Sequence, residues 1–531
     1  MKYLLNGVSL PYTANDADFI DIAKQKMKRA ADPAQFHFCI YKKSVDARRR
    51  GDIRFVCTVL AQSRDVVSAS IAKRIASAGF KAYDDNVQSP KPGSEKLLGR
   101  PLIVGGGPAG MFCALILAEN GYRPILIDRG GSVTERAAAY DKFCKNGILD
   151  KENNIQFGAG GAGTFSDGKL TTRISDPRCT YVLERLREFG APDDVTVKAK
   201  PHIGTDVLRS VVENLYNRIR SAGGEIHLGC RLDRIFKNTD GSLTAITGRG
   251  EIVCGCAVLA TGHSARDTYT MLMNEGFVLE AKPFSVGVRI EHLREDIDRA
   301  LYGDAAGDTR LGHAEYNFSD TTGRGVYTFC MCPGGEVVAG ATEDGGVVVN
   351  GMSCRARDGV NSNSAIAVSV NREDYGGDVV SAISYQRNLE RAAFELGGGN
   401  YTAPMQTVGD FLSGSYGTEP TRVQPSYMGG GRCKVADLSS IFPSYITAEL
   451  KRGIVSFGRR LHGFDSASAL LTGVETRTSS PVRMPRGEEL TALGNDLVYP
   501  CGEGAGYAGG ITSAAVDGIR VAERIISRFA Q

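Results

Sequence analysis

Leu102-Ile-Val-Gly105-Gly-Gly107-Pro-Ala-Gly110 is an apolar run passing into G-x-G-x-x-G, and its flanks decide what it is. The glycine pattern marks a phosphate site only where a strand precedes it and a helix follows. Arg100 to Val104 predicts a buried strand, and Met111 to Glu119, rich in Ala and Leu, predicts a helix. Gly105 then turns tightly, Gly107 lets backbone N–H groups approach a pyrophosphate, and Gly110 lets helix pack on strand, with Pro108 and Ala109 between them. The helix N-terminus sets partial positive charge against the phosphates. A second strand, Pro124-Ile-Leu-Ile-Asp128, ends in an acid about 18 residues beyond Gly110, near the spacing that reaches a ribose hydroxyl, with Arg129 beside it. Together these predict a dinucleotide site.

The far C-terminal stretch chooses the dinucleotide. Tyr499-Pro-Cys-Gly502-Glu503-Gly-Ala-Gly506-Tyr-Ala-Gly509-Gly510-Ile511 precedes a helix expected from Thr512 to Phe529. A domain that binds only NAD has no need of such a late return. In FAD proteins of the glutathione-reductase type, a late Gly-Asp or Gly-Glu holds a ribitol hydroxyl. The next helix aims its N-terminus at the flavin, stabilising negative charge on the reduced ring. Glu503, one methylene longer than the commoner Asp, supplies the acid, and Gly509-Gly510-Ile511 opens the helix. Val258-Leu-Ala260-Thr261-Gly262 reads as the strand and turn that close the domain. Ahead of it, Gly223 to Leu232 supplies a strand whose Leu232 backbone is placed to address the adenine. In this order the pieces predict FAD.

The chain resembles the bacterial FAD-dependent dehydrogenases of unassigned substrate, similar in turn to the wider glutathione-reductase-2 class. The resemblance rests on Asn154-Ile-Gln-Phe-Gly-Ala-Gly160-Gly161-Ala-Gly163-Thr-Phe-Ser-Asp-Gly168-Lys169-Leu170, His202-Ile-Gly-Thr-Asp, Phe329-Cys-Met-Cys-Pro-Gly-Gly335 and Gly473-Val-Glu-Thr-Arg-Thr-Ser-Ser-Pro-Val-Arg483. It runs the length of the chain. It implies that Gly160, Gly161, Gly163, Lys169 and Leu170 also line the cofactor. Ala159 departs from the family pattern, which carries an acid there.

Length, charge and cysteines set outer bounds. The chain has 531 residues, room for two to four domains, and a net charge of +3 that gives no electrostatic case for DNA. Thirteen scattered cysteines and the lack of an opening signal segment point to reduced thiols in a cytoplasm. The charge-free run from Pro101 to Ala118 is broken by three consecutive glycines and an internal proline, so no integral membrane association is expected.

The expected fold class is α/β: a Rossmann-like FAD-binding domain of the glutathione-reductase-2 type, a large mainly β cap, and an N-terminal α+β unit. Residues 1–85 read in the order β-α-β-β-α, suggesting a ferredoxin-like unit. Residues 86–96, with Ser-Pro-Lys-Pro-Gly-Ser at their centre, read as a linker. The FAD domain is expected at 97–270 and 494–531, discontinuous, with the cap at 271–493. The basic stretch Tyr41 to Arg50 has no aromatic platform beside it and reads as a solvated turn.

No second strand-GxGxxG-helix follows Gly110, so NAD(P)H is expected only as a transient donor, or its place taken by a protein electron donor or acceptor. No C-x-x-C follows the first motif. Cys254-Gly-Cys256 and Cys330-Met-Cys332 are C-x-C pairs on expected strands. Alternation would set each pair's sulfurs on one face about 6.6 Å apart, awkward for a local disulfide. They lack zinc spacing, and no metal is expected. Most such cysteines are buried packing residues; the sharper reading puts Cys330 or Cys332 beside the flavin. His263, next to the A-T-G turn, is a weak acid–base candidate. Arg477 and Arg483, with Ser479 between, suit a carboxylate or phosphate, though a bracing ion-pair network fits them equally. The reading reached is an FAD-dependent oxidoreductase acting through flavin N5 on a small, anionic substrate. A flavin monooxygenase and a non-catalytic redox-sensing or RNA-associated flavoprotein are the alternatives.

Overall fold

Local signals build a split β-α-β unit at the start of the chain. Strand β1 (Lys2–Pro11), helix α1 (Asp16–Met27), strands β2 (Phe36–Asp46) and β3 (Arg54–Ser63), helix α2 (Ala69–Ser77) and strand β4 (Phe80–Tyr83) follow in turn. Asn15 and Asp18 close a capping box at the start of α1, satisfying two orphan N–H groups. The sheet is antiparallel in the order β2-β3-β1-β4. Phe19, Ala23 and Met27 of α1 and Ile75 of α2 are buried with its apolar side chains. The computed structural model describes residues 1–49, 51–84 and 90–531; Arg50 and the first part of the expected linker, to residue 89, lie outside the described residues. The remainder of that linker is docked. Gly93 N–H donates to Ile526, Glu95 pairs with Arg528 at 2.8 Å, and a Cβ on Gly93 would collide with backbone at Ser527 and Arg528.

The second unit is a parallel sheet wrapped by helices. It uses β5 (Pro101–Val104), α3 (Pro108–Glu119), β6 (Ile125–Asp128), α4 (Val133–Asn146), α5 (Arg178–Glu188), α6 (Thr205–Ser221) and β7 (Glu225–Leu228). A three-stranded antiparallel meander follows, β8 (Leu232–Lys237), β9 (Leu243–Thr247) and β10 (Gly250–Cys254), and then β11 (Cys256–Leu259) and α7 (Arg266–Asn274). β5 lies at the centre of the parallel sheet, with β6 and β7 on one side and β11 on the other. The chain therefore reverses its winding direction at β5, and ligands in such sheets bind beyond the strands' carboxyl ends at that switch. α3 is apolar on all sides because it is buried on all sides.

The third unit begins with β12 (Glu280–Ala281) and β13 (Phe284–Leu293), followed by α8 (Arg294–Tyr302), β14 (Ser319–Asp320), β15 (Val326–Cys332), β16 (Glu336–Ala339), β17 (Val349–Met352) and β18 (Asn361–Val370). It continues through α9 (Arg372–Tyr375), α10 (Val379–Gly397), β19 (Ala403–Thr407), α11 (Val408–Ser413), β20 (Cys433–Val435), α12 (Ser444–Gly458), β21 (Leu470–Glu475) and β22 (Val482–Arg483). Seven strands form one sheet in the order β14-β15-β18-β13-β21-β19-β20, while β16 and β17 make a separate hairpin. β13 and β18 are buried almost throughout, as central strands covered on both faces must be. The two-stranded β12-β22 ribbon is the neck through which the chain enters and leaves. β23 (Val498–Pro500) then joins the parallel sheet beside β11, and α13 (Ile511–Arg528) packs across α3. Gly518 lets the helices cross closely, since a Cβ there would collide with the Ala109 carbonyl.

Candidate functional site

The carboxyl ends of β5, β6, β11 and β23 deliver Gly105, Asp128, Ala260 and Gly502 to one edge of the parallel sheet. Gly105 sits at φ 110°, where a Cβ would collide with the Ala260 carbonyl. At Gly110 a Cβ would collide with the Gly105 carbonyl, so this glycine sets the helix-to-strand approach. Gly107 differs: a Cβ there would meet only the Gly161 Cα, at 3.8 Å. It faces a cradle rather than a wall.

Three helix N-termini converge on that cradle. α3 begins after Gly107, a short 3-10 turn runs Gly161–Phe165 after Gly160, and α13 begins after Gly510; none has a side-chain cap. A Cβ on Gly163 would sit 3.2 Å from the Ile511 side chain, and one on Gly161 would sit 2.9 Å from Gly107 Cα. Two long helices thus present uncapped N–H groups and their positive dipole ends to one place, a donor set suited to a pyrophosphate. Leu170 and Thr512 fasten the arrangement: Thr512 Oγ1 donates to the Leu170 carbonyl at 2.7 Å.

Arg136 shapes the loop between them, although it was not singled out in the sequence. Fully buried, it donates to the carbonyls of Asn154, Ile155, Ala159 and Gly161 and stacks over Phe165. Burial lowers its pKa to about 10. Ala159, the noted departure from the family pattern, is itself buried, with its carbonyl accepting from this guanidinium.

Two predicted cofactor contacts are occupied by the protein. Asp128 accepts backbone N–H bonds from Gly106, Gly130 and Gly158 at 2.6, 2.8 and 2.8 Å, leaving about one of its four acceptor positions for a sugar. Burial raises its pKa against the pull of those donors. Arg129 is held by Glu152 and Asp267, both at 2.6 Å, and lies over Phe157, so it braces α7 against β6 instead of reaching a ligand. Leu232 opens β8 opposite Thr247.

At the same sheet edge, Tyr269 stitches three turns together: its hydroxyl bonds Gly262, Ser480 and Gly504 at 3.2, 3.2 and 2.8 Å. Gly504 is required because a Cβ would collide with Gly262. This brings His263 Nδ1 within 3.6 Å of Glu503 Oε2. His263 Nε2 and Ser264 Oγ are buried and have no hydrogen-bond partner within the protein. Unpartnered buried polar atoms, uncapped helix ends and the open face of Gly107 all fit a bound dinucleotide.

The third unit contributes a dense charged seam. Arg289, on β13, is fully buried with Glu475 at 2.8 Å and donates also to Asn363, Asn350 and the Cys330 carbonyl. Burial raises the pKa of Glu475, opposed by Arg289 and by nearby His263. Lys169 was expected on the cofactor. It instead pairs with Asp167 at 2.9 Å, donates to the Met331 carbonyl and approaches Cys332 Sγ at 4.0 Å. Asp167 also takes two bonds from Arg357. No short motif marks Arg357 or Arg289: Arg357 lies in the charged stretch Arg355-Ala-Arg357-Asp358, and Arg289 is a charge on an otherwise largely apolar strand.

Arg477 and Arg483 do not act together. Arg477 is buried, bound to Glu390 at 3.0 Å and Thr342 at 2.7 Å, in a network with Arg266, Glu343 and Arg387. Its guanidinium ties the segment after β21 to Glu390 on α10 and to Thr342, which corrects its assignment as a substrate ligand. Arg483 is exposed over Tyr507, on the neck, and Ser479 is half-buried between them. Lys282 flanks Glu503 and Arg483, and burial lowers its pKa.

Residues 283–478 match the family described as FAD-dependent protein, C-terminal domain-like. A Clostridium beijerinckii protein described as uncharacterized is 46% identical over 497 residues, 92% of this chain and 92% of that one. Among solved structures, the flavin-dependent halogenase CmlS aligns over 81% of this chain but only 59% of its own, with 12% identity and a TM-score of 0.38. The amino acid oxidase NikD aligns over 80% of this chain and 93% of its own, with 11% identity and a TM-score of 0.32. Among the described residues, no helix is long and apolar enough to cross a membrane.

Proposed function

Since the chain belongs to the family of FAD-dependent proteins that carry this C-terminal domain, we propose that it is an FAD-dependent oxidoreductase working at the edge of the parallel sheet. The observation that carries this is the convergence of the uncapped N-termini of α3 and α13 beside the open face of Gly107. Those N–H groups would bind the pyrophosphate, Glu503 a ribitol hydroxyl, and the spare acceptor position of Asp128 a ribose. When bound, the flavin supplies two-electron hydride chemistry at N5. The protein's own part is to hold and shield the reactants. His263, with Nδ1 3.6 Å from Glu503 Oε2 and Nε2 unpartnered within the protein, is placed to hold or pass a proton. Lys282 and Arg483 on the neck offer two cations for a small anionic substrate, taking over the role first given to Arg477. Electrons would come from transient NAD(P)H or a protein partner.

Gly107→Val tests the reading. Its backbone (φ −78°) suits valine and a Cβ there meets no protein atom closer than the Gly161 Cα at 3.8 Å, so the variant should fold yet be colourless. A yellow variant, or release of FMN from the denatured wild type, would refute the assignment.

A further inference from the structure

Cys330 and Cys332 do not sit as strand alternation requires. Cys330 has φ 47°, a left-handed conformation that a non-glycine residue adopts at a cost, and the register slips between Phe329 and Cys332. Three steps along β15 there oppose two along β18, so the strand bulges at the cysteine pair. The bulge is held from both sides. Arg289 donates to the Cys330 carbonyl at 3.1 Å, and Lys169 donates to the Met331 carbonyl with its ammonium 4.0 Å from Cys332 Sγ. Cys332 is buried, its thiol turned toward the Cys330 carbonyl at 3.3 Å, whereas Cys330 is partly exposed. The pair lies free of any disulfide, beside two cations fixed by buried partners.

We propose that Cys330 and Cys332 form a redox-active dithiol that reduces small disulfides, with Cys330 as the attacking thiolate and Cys332 as the resolving thiol. Cys330 S⁻ attacks one sulfur of R–S–S–R; the substrate S–S bond breaks, a Cys330–S–S–R bond forms, and R–S⁻ departs. Cys332 then attacks Cys330 Sγ, its proton leaving with the second departing thiolate as R–SH. The two cysteine sulfurs are oxidised by two electrons in total and the substrate disulfide is reduced by two.

The surroundings suit these roles. A hydrogen bond from Cys332, made when its single proton turns from the Cys330 carbonyl to the Cys330 sulfur, then Lys169 and Arg289, lower the Cys330 pKa to about 5 against burial and the charge of Asp167. The same hydrogen bond and burial push Cys332 well up, keeping it protonated until it is needed. The proposal goes beyond the flavin reading and does not depend on it.

The test is a titration of the reduced full-length protein with oxidised glutathione, quenched with iodoacetamide and read by peptide mass. A Cys354→Ser background is used, because that exposed cysteine lies on the same proteolytic fragment. The expected result is release of two glutathione thiols per disulfide consumed, with a Cys330–Cys332 cross-link. In Cys332→Ser the reaction should stop at a glutathione adduct on Cys330. At pH 6, Cys330 should alkylate about tenfold faster than an unfolded-chain cysteine, its larger thiolate fraction outweighing its weaker intrinsic nucleophilicity. Absence of the cross-link in the unsubstituted pair, or alkylation of Cys330 no faster than an unfolded cysteine, would overturn the proposal.

Discussion

Cys254-Gly-Cys256 and Cys330-Met-Cys332 have identical spacing and opposite chemistry. The first pair straddles the end of one sheet and the start of another, with both residues fully buried among apolar neighbours. Burial pushes Cys254 to about 12 and Cys256 well above the ordinary thiol value. The second pair lies on a bulged strand between Lys169 and Arg289. A thiol acquires its reactivity from the charges around it, and those charges come from segments distant in sequence. The same division separates Arg477, locked onto Glu390, from Arg483, exposed six residues later.

The largest test of the contrast is alkylation of the native protein at neutral pH. Cys330 should react about a hundredfold or more faster than Cys254 or Cys256, since thiolate fraction and access both favour it. Labelling of Cys254 at a comparable rate in folded protein would erase the distinction. Next comes Arg477→Met, which leaves Glu390 with Arg266 as its remaining strong partner. Removing one member of a buried ion network should cost about 3 kcal/mol, measured by denaturant unfolding. Arg483→Lys should change stability by less than about 0.5 kcal/mol, so any loss there must appear in substrate binding.

Lys169→Met should slow Cys330 alkylation at pH 6 by about threefold to tenfold, because a cation favouring the thiolate is gone. The pH dependence of stability offers a gentler check. The folded Cys330 pKa, about 5, lies below the ordinary thiol value of 9.0. Between those limits the unfolded chain binds the extra proton, so stability rises with pH across the window and falls as pH drops toward 5. Unfolding of wild type minus Cys330→Ser, measured from pH 5 to 8, should show that rise. A flat difference would mean that Cys330 is an ordinary thiol.

The sequence by itself determined the parts whose physics is local. A tight turn needs Gly105, a close helix-to-strand approach needs Gly110, and an apolar run ending in glycine makes β5 and α3; each constraint is satisfied within a few residues. The same holds for the A-T-G turn, the Gly502-Glu503 turn and α13, whose order along the chain already placed them at one sheet edge. Only the tertiary structure decided which charged groups were free to act. Asp128 is largely taken by three backbone amides, Arg129 by Glu152 and Asp267, Lys169 by Asp167, and Arg477 by Glu390. Some partners lie nearby in sequence, but others are brought from far along the chain, and no residue's type or spacing shows whether its hydrogen-bonding capacity is already filled. Arg136 and Arg289 were illegible for the same reason: a buried arginine acts through the carbonyls and carboxylates that the fold gathers around it.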